Sequence, residues 1–411
     1  MNSTDRQPDH SNRIECDVAI IGAGPVGLLL ANLLGASGVR TCVFDKRTEP
    51  QTSSMAIGIT PPSLEIMKRL RLDDVFRDAG VPVRHAEVYE ARSCVGRLDF
   101  AGIASDYPFF LSLPQARTVE ILRSNLATFA CVNIRDGVEF SGLRDDGNAV
   151  RALFRGLSRW DVEVRSRFLI GADGHKSSVR AAAGLKVREK TYSQRFIMAD
   201  FADESGLGVE ARLFFTPEAS VESFPLPGGF RRWIAQMDNS GCDRPVNYLI
   251  ESVRRLTRYD LSGRPARFVS SFGAKRMIAD RYHVGRVLLA GDAAHVMSSI
   301  GGQGMNTGFA DAEMLAEILP VVLQQPDRME RCFAAYDRIR RRSFEVAATR
   351  AERGMWLGTL RGRIASWGRK QFIRHVLFNR VMKPHLAPHF TMLTIPYRNL
   401  NGVPREWLAA D

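Results

Sequence analysis

The stretch CDVAIIGAGPVGLLLANLLGASGVRTCVFD, residues 16–45, contains the pattern that decides the fold. Its apolar start, Cys16–Ile21, predicts a short buried strand, and Leu28–Leu34 has the composition of a buried helix. Val39–Phe44 predicts a second strand, which closes at Asp45. A strand, a glycine-rich turn, a helix and a second strand ending in an acid are typical of the dinucleotide-binding unit of α/β proteins.

Three glycines shape the turn between the first strand and the helix. Gly22 permits the tight turn, Gly24 lets the backbone approach a pyrophosphate, and Gly27 lets the helix pack close to its strand. Pro25 and Val26 lie at the helix start, where free N–H groups and a partial positive charge favour phosphate. The turn therefore predicts nucleotide binding, with a purely structural glycine turn as the alternative.

An acid follows the second strand, at the position where such units contact a ribose. Asp45 would accept hydrogen bonds from ribose hydroxyls and repel a 2′-phosphate, which favours FAD or NAD over NADP. The next two residues, Lys46 and Arg47, are included in the predicted site. A surface charge at a strand end is the alternative interpretation of Asp45.

Two further turns with glycine and an acid follow apolar runs later in the chain. One contains Asp173 and the other contains Gly291 and Asp292. A glycine-rich loop then opens a helix, and its predicted site residues are Gly301, Gly302, Gly304, Met305 and Asn306. These turns predict one nucleotide-binding core assembled from distant segments.

The ordered motifs GxGxxG, DG and GD, the last followed by GGQGMN, resemble those of the group A flavoprotein monooxygenases, the para-hydroxybenzoate hydroxylase family. The resemblance implies that Asp45 holds the adenosine ribose of FAD. It implies that Gln115 contacts FAD near its ribityl chain and that Asp292 bonds to the ribityl hydroxyls. Asp173 would serve the binding of both FAD and NAD(P)H.

The resemblance also places the glycine-rich loop and helix start, residues 301–306, beneath the flavin ring. A helix N-terminus there would stabilise the anionic reduced flavin. Two positions depart from the family pattern: Met55-Ala56 stands where Arg-Ala is usual, and Ser298-Ser299 stands where a proline is usual. The first departure removes a cationic contact, and the second changes the segment between flavin and substrate.

The activity implied by the resemblance is that of an FAD-dependent monooxygenase. NAD(P)H would reduce FAD, and O2 would then form a C4a-hydroperoxyflavin that hydroxylates or epoxidises an aromatic or polycyclic small molecule. Such a reaction belongs to secondary metabolism or aromatic catabolism. The alternatives are a reductase or dehydrogenase of a prenyl or quinone-type substrate and a redox-silent flavin-binding protein.

The substrate pocket is assigned from the strand-rich insert and from segments that the resemblance places near the substrate. Residues predicted to line the substrate pocket are Phe214, Phe224, Pro225, Trp233 and Ser299. His295 is interpreted as structural, since histidine in the GDAAH motif is more often structural than catalytic. No catalytic residue and no metal site is identified.

The predicted fold class is α/β. It consists of a GR2-type Rossmann-like FAD-binding domain, an inserted antiparallel β-sheet substrate domain and a helical C-terminal region. The FAD-binding domain is assigned to residues 14–80, 109–190 and 273–340. The substrate domain is assigned to residues 81–108 and 191–272, and the helical region to residues 341–411.

Composition limits the class of protein. With 411 residues, of which 45% are hydrophobic and 25% charged, the chain is neither wholly disordered nor fibrous. The six cysteines form no CxxC pair, and no secretory leader is visible, so reduced thiols and a cytoplasmic location are expected. No nucleic-acid partner is expected, and the chain is expected to act as a monomer or homodimer.

The net charge of +12 is concentrated near the end of the chain. Residues 326–383 contain 15 Lys and Arg against 5 Asp and Glu. Basic amphipathic helices lying on a membrane surface are one interpretation. We favour helices that pack their aromatic side on the core, because basic and apolar residues alternate. The aromatic residues concerned are Trp356, Trp367, Phe372 and Phe378.

Overall fold

The computed structural model describes residues 13–49, 55–90, 93–156, 161–238, 245–298 and 302–396. Two predicted site residues, Ser299 and Gly301, lie outside the described residues. The strands are β1 (Arg13–Ile21), β2 (Thr41–Asp45), β3 (Gly58–Ile59), β4 (Val81–Val83), β5 (His85–Glu90), β6 (Ser93–Asp99), β7 (Phe110–Ser112), β8 (Val132–Asp136), β9 (Val138–Asp145), β10 (Val150–Gly156), β11 (Asp161–Gly171), β12 (Val187–Ala202), β13 (Ala211–Phe215), β14 (Ser220–Leu226), β15 (Phe230–Met237), β16 (Phe268–Ala279), β17 (His283–Val284), β18 (Val287–Leu289) and β19 (His295–Val296). The helices are α1 (Pro25–Ala36), α2 (Pro61–Arg69), α3 (Asp73–Ala79), α4 (Gln115–Asn125), α5 (Ser178–Ala182), α6 (Pro245–Thr257), α7 (Gln303–Gln324), α8 (Met329–Gly358), α9 (Arg363–Phe372) and α10 (Lys383–Phe390).

The first sheet carries the glycine turns at its strand ends. Its order is β17-β18-β11-β1-β2-β8, and β1 pairs in parallel with both β2 and β11. Val18, Ala19 and Ile20 of β1 are completely buried, as expected for a parallel strand covered on both faces. The helices α1 and α7 pack against each other beside this sheet. The predicted α/β nucleotide-binding core is confirmed.

A second, larger sheet is mostly antiparallel. Its order is β19-β16-β12-β15-β14-β13-β5-β6, with one parallel pair, β13 with β5. Most of its strands come from the two segments predicted as the substrate domain, although β12 begins at Val187 and β16 continues to Ala279.

One prediction within this region is wrong. The segment 191–272 is assigned from the sequence to an antiparallel sheet, but within it Pro245–Thr257 is the helix α6. Its apolar residues Val246, Leu249 and Val253 recur at helical spacing, so they form one face that packs on the sheet. This spacing was present in the sequence and could have identified the helix.

A small third sheet, β3-β7-β4, packs against β14 of the large sheet. The hydroxyl of Ser112 in β7 donates to the carbonyl oxygen of Pro225 in β14, at 2.6 Å. Because β7 also pairs with β3, the substrate-domain sheet is joined to the segment that precedes α2.

The C-terminal helices only partly follow the favoured packing. Phe378 is half-buried against the large sheet, but Trp356 and Trp367 are 64% and 65% exposed and Phe372 is 42% exposed. The prediction that the aromatic side packs on the core is therefore wrong for these three residues. None of the described helices is both long and apolar enough to span a bilayer.

Candidate active site

A cleft of about 370 Å³, open to solvent, lies where β1 and β2 end. Its wall includes Gly24, Pro25, Asp45, Arg47, Gln115 and Arg123. The first glycine turn, the acid of the second strand and the start of α4 therefore meet at one place, as the sequence predicted.

The glycines of the first turn differ in their surroundings. A Cβ at Gly22 would lie 2.3 Å from the carbonyl oxygen of Ala172, and one at Gly27 would lie 2.1 Å from the carbonyl oxygen of Gly22. A Cβ at Gly24 would meet nothing within 4 Å, so the backbone there borders open space. Two glycines thus permit close packing, and the third keeps the cleft free for a ligand.

The start of α1 is suited to an anion. No side chain caps its N-terminus, and its first turn contains no acid, so its N–H groups and positive end remain available. Pro25 occupies the first helical turn and also borders the cleft. The side chain of Val26 instead packs between Gly291 and Gly308, so this residue contributes through its backbone.

Asp45 is buried and accepts several hydrogen bonds. Its carboxylate accepts from the backbone N–H of Ala23 at 2.7 Å and from the backbone and guanidinium of Arg47 at 2.9–3.0 Å. Burial alone would raise the pKa of Asp45, but these hydrogen bonds outweigh it and hold the pKa below its usual range. An ionised acceptor thus lies in the cleft. Lys46 points elsewhere, since it is paired with Glu139 at the surface.

Gln115 connects the cleft to the segment that begins at Met55. Its backbone N–H donates to the carbonyl of Ala56, and its side-chain oxygen accepts from the N–H of Ala56 at 3.4 Å. Gln115 is the first residue of α4 and lines the cleft. It is therefore placed to contact a ligand that extends beyond Asp45.

Asp173 caps the short helix α5. One carboxylate oxygen accepts from the backbone N–H groups of Ser178 and Val179 and from the Ser178 hydroxyl. The other oxygen is buried without a partner among the described residues. The structure thus shows a capping role for Asp173 and leaves one acceptor unused.

Asp292 follows β18 at the third turn. Its side chain is exposed, although protein atoms crowd around it. This desolvation raises the pKa of Asp292, against the opposing effect of His295 and His175. Among the described residues no group donates a hydrogen bond to Asp292, which makes it a free acceptor for ligand hydroxyls.

The start of α7 is fixed by Asn306. Its side-chain oxygen accepts from the Thr60 backbone and the Ser63 hydroxyl, and its nitrogen donates to the carbonyls of Gly58 and Gly302. Gly302 has a left-handed backbone with φ of 64° and precedes an N-terminus without a side-chain cap. The side chain of Asn306 therefore positions this helix end, and ligand contact there would come from backbone N–H groups.

For two other residues of this predicted loop, Met305 and Gly304, the structure shows packing contacts alone. Met305 packs against the core of the first sheet. Gly304 lies beside Met297, whose Cγ is 3.9 Å from the position of an added Cβ.

His295 belongs to a buried ion-pair network. It lies 2.6 Å from Asp311, which also accepts from the Arg340 guanidinium at 2.7 Å and from the backbone N–H of Gly291 at 3.0 Å. Burial alone would raise the pKa of Asp311, but the charges of His295 and Arg340 hold it below its usual range. The network connects the third turn to α7 and α8, in agreement with the structural interpretation of His295.

The large sheet meets the cofactor side at Arg232, which sequence reasoning missed. This completely buried guanidinium pairs with Asp200 at 2.6 and 2.8 Å and donates to the carbonyl of Met55 at 2.8 Å. Arg47, which also borders the cleft, is held by Asp45. The sequence signal for Arg232 was an arginine within a predicted strand. Its role could not be inferred without knowing which face of β15 its side chain occupies.

The predicted pocket residues separate onto the two faces of the large sheet. Phe214 and Trp233 are buried beneath α6, and the prediction that they line a substrate pocket is corrected accordingly. Phe224 lies on the opposite face and packs edge-on against Phe110, with ring centroids 6.2 Å apart. Pro225 contributes its carbonyl to Ser112.

These observations fit FAD. The uncapped N-terminus of α1 and the open space beside Gly24 suit a pyrophosphate. Ionised Asp45 suits a ribose, and Asp292, which has no partner among the described residues, suits a chain of hydroxyl groups. The N-terminus of α7 suits the electron-rich edge of a flavin.

Comparison with known proteins agrees with this fit. A family model described as an FAD binding domain matches residues 15–351. The 6-methylpretetramide 4-monooxygenase of Streptomyces rimosus is 36% identical over 326 residues, which cover 76% of this chain and 57% of that protein. The anhydrotetracycline monooxygenase of the same species is 31% identical over 316 residues, covering 72% and 61%. The chain thus spans about three fifths of the length of these curated relatives.

Solved structures share the fold over nearly all of the chain. A p-nitrophenol 4-monooxygenase from Pseudomonas putida superposes with a TM-score of 0.85 at 24% identity and covers 93% of this chain and 98% of its own. The anhydrotetracycline hydroxylase from Streptomyces rimosus has a TM-score of 0.77 at 26% identity and covers 93% and 77%.

Proposed function

Because this chain belongs to the family of FAD binding domains, we propose that it is an FAD-dependent monooxygenase that uses NAD(P)H and O2. FAD is its cofactor, as the three glycine turns predicted. The proposed substrate is an aromatic or polycyclic small molecule that is hydroxylated or epoxidised.

The observation that carries this proposal is the contact between the cofactor cleft and the large sheet. Arg232, on the face of the sheet opposite α6, donates to Met55, and the next residue, Ala56, bonds to Gln115 in the cleft wall. A ligand on that face would lie next to the cofactor. A flavoprotein that only transferred electrons to a soluble partner would not need this enclosed second surface.

The chain's own residues position the reactants and exclude water. When bound, FAD supplies the redox chemistry and the activation of O2. The α7 N-terminus would favour negative charge on the nearby flavin edge. Arg232 is neutralised by Asp200, so it contributes a fixed hydrogen bond to the Met55 segment with little net charge. The C-terminal helices cover the sheet face and keep solvent away.

The names of the relatives support the proposed substrate class. The names of two of them specify 6-methylpretetramide and anhydrotetracycline, which are both polycyclic aromatic compounds. Aromatic side chains on the covered face, Phe110 and Phe224, suit a flat ring system. A polycyclic phenol is therefore the proposed substrate type.

The test is substrate-stimulated NAD(P)H oxidation by the FAD-loaded protein across a panel of phenols and polycyclic polyketides. Products are analysed by mass spectrometry after reaction under oxygen-18 gas. We expect one labelled oxygen atom in the product. A product that is reduced without O2 uptake would instead indicate a reductase, and absence of flavin reduction with every substrate would indicate a redox-silent protein.

A further inference from the structure

Glu222, in the middle of β14, is a buried carboxyl group that the cofactor site does not use. Its side chain is 8% exposed, and no described residue donates a hydrogen bond to it or pairs with it. Its carboxylate oxygens are not among the completely buried side-chain atoms that lack a partner, so they border space that water can reach. A largely desolvated carboxylate is costly, and a hydrogen-bond donor on a ligand that filled this space would relieve the cost.

The strand pattern places Glu222 on the sheet face opposite α6. Val221, its neighbour, packs in the cluster beneath α6, and side chains alternate along a strand. The cross-strand partners of Glu222, Leu213 and Ile234, are also on the face away from α6. This is the face that holds Arg232.

The apolar residues around Glu222 belong to three clusters. Phe224 packs with Phe110, Leu213 packs with residues of the C-terminal helices, and Ile234 packs with Phe196 and Phe272. The first two clusters share the partly buried Leu377 and Phe378, and Ile234 belongs to the third. The carboxyl group thus lies where the otherwise apolar face is interrupted.

The charged groups on this face cannot neutralise Glu222 because each already has a partner. Arg232 is paired with Asp200, and Arg369 is paired with Glu90. Desolvation without a counterion raises the pKa of Glu222 to about 7. A carboxyl oxygen can accept a hydrogen bond in either protonation state, which is what binding of a phenol O–H requires.

We propose that Glu222 is the residue that binds the hydroxyl group of an aromatic substrate. The substrate rings would lie against Phe224 and its neighbours, and the Glu222 carboxyl would accept a hydrogen bond from the phenol. This inference rests on the proposed function and specifies its substrate class as a phenol. It also assigns the polar contact that orients the ring towards the cofactor.

The experiment compares two probes of nearly the same shape, 2-naphthol and 2-methoxynaphthalene, of which only the first donates a hydrogen bond. Binding to the FAD-loaded protein is followed by the change in flavin absorbance, so turnover is not needed. We expect wild type to bind the naphthol about tenfold more tightly, the factor that one hydrogen bond of ordinary strength provides. Glu222→Leu should abolish this preference, and Glu222→Gln, which retains an acceptor, should keep part of it.

Glu218→Gln is the matched control. This glutamate lies in the turn before β14 and pairs with Arg255 at the surface, so its removal should leave the preference unchanged. A wild-type protein without the preference, or a Glu222→Leu protein that retains it, would overturn the proposal. If the product carries labelled oxygen but Glu222→Leu keeps the preference for 2-naphthol, only this inference is rejected. If Glu222→Leu loses the preference but no oxygen is transferred to a product, only the monooxygenase function is rejected.

A second observation, in helix α9, is independent of the site. This helix turns its polar residues inward: Arg369 and Ser366 are buried and bond to Glu90 of β5. Its outward face carries Ile364 and Trp367, which are 87% and 65% exposed. The reversed orientation leaves an apolar surface without a partner among the described residues.

Charge identifies the kind of partner. Residues 353–396 contain eight Lys and Arg and no Asp or Glu. Arg361 and Arg369 are paired with Asp238 and Glu90, which leaves six basic residues without an acidic partner among the described residues. A second copy of the chain docked by the same surface would bring like charges together, whereas an anionic bilayer would complement them. Tryptophan and isoleucine flanked by basic residues are typical of helices that lie in a membrane interface.

We infer that the outward face of α9 docks on an anionic lipid surface. Co-sedimentation is measured with vesicles of phosphatidylcholine alone and of phosphatidylcholine with phosphatidylglycerol in equal parts. We expect binding only to the anionic vesicles, weakened by salt and lost in the double variant Ile364→Ser and Trp367→Ser.

The control for this experiment is the double variant Val75→Ser and Val209→Ser, which removes exposed apolar side chains elsewhere and should bind like wild type. Absence of binding to the anionic vesicles would overturn the inference. So would light scattering that shows a dimer which the α9 double variant dissociates.

Discussion

The two faces of the large antiparallel sheet are built from alternate residues of the same strands, yet their apolar packing is continuous on one face and interrupted on the other. Beneath α6, Phe214, Trp233 and Val221 form one continuous apolar cluster. On the other face the apolar side chains fall into three clusters, with Glu222 between them and the Arg232–Asp200 pair at the edge nearest the cofactor. A continuous face stabilises the fold, and an interrupted face leaves polar groups for a ligand.

The largest expected difference between the faces is in stability. Trp233→Ala should lower the free energy of unfolding by about 3–5 kcal/mol, because it removes a fully buried ring and leaves a cavity. Chemical denaturation of the FAD-free protein measures this loss. Phe224→Ala is the comparison variant. Because Phe224 is only half-buried, this variant should lose less of the free energy of unfolding. Equal losses would mean that both faces are packed alike.

The second effect concerns pH and Glu222. Its pKa is raised from 4.5 to about 7 in the folded protein, so the folded state keeps a proton that the unfolded state has released. Stability from this group is complete below about pH 4.5 and falls by about 3 kcal/mol as the pH rises through 7. Glu222→Gln should lack this fall.

The measurement is the difference in unfolding free energy between wild type and Glu222→Gln at pH 4.5, 6 and 8, in which all other titrating groups cancel. A difference that does not change with pH would show that Glu222 has a partner in the folded protein.

Part of the cofactor site could be predicted from the sequence alone. The glycine turns and Asp45 could be predicted because their roles are local: Gly22 needs a positive φ, and a Cβ at Gly27 would collide with a carbonyl within the same turn. The parallel strand β1 could be predicted because it is apolar without alternation.

The substrate side could not be predicted in the same way. Trp233 and Ile234 are adjacent in sequence, and only the packing of α6 decides which of them faces the ligand. The role of Glu222 depends on its cross-strand neighbours, which come from two other strands. Helix α6 itself was missed because its short apolar repeat lies within a region of alternating strands.

A smaller effect is expected for ligand binding. Phe224→Ala should weaken binding of 2-naphthol to the FAD-loaded protein by about 1–2 kcal/mol, since it removes one aromatic contact from the interrupted face. Flavin absorbance titration measures the change. Val221→Ala, which alters the face beneath α6, should leave the affinity unchanged; a similar loss in both variants would contradict the separation of roles.

The smallest effect on stability is expected at α9. The variant Ile364→Ser with Trp367→Ser should change the free energy of unfolding by no more than about 0.5 kcal/mol, because both side chains are exposed. Thermal unfolding without lipid measures this. A loss of several kcal/mol would show that this face is packed within the protein.

The most direct test of the two-face account is hydrogen exchange of the FAD-loaded protein with and without saturating 2-naphthol. The account predicts slower exchange on binding in α9 and in residues 373–377, which cover the interrupted face, and no change in α6. Slower exchange in α6, with none in the C-terminal helices, would contradict it.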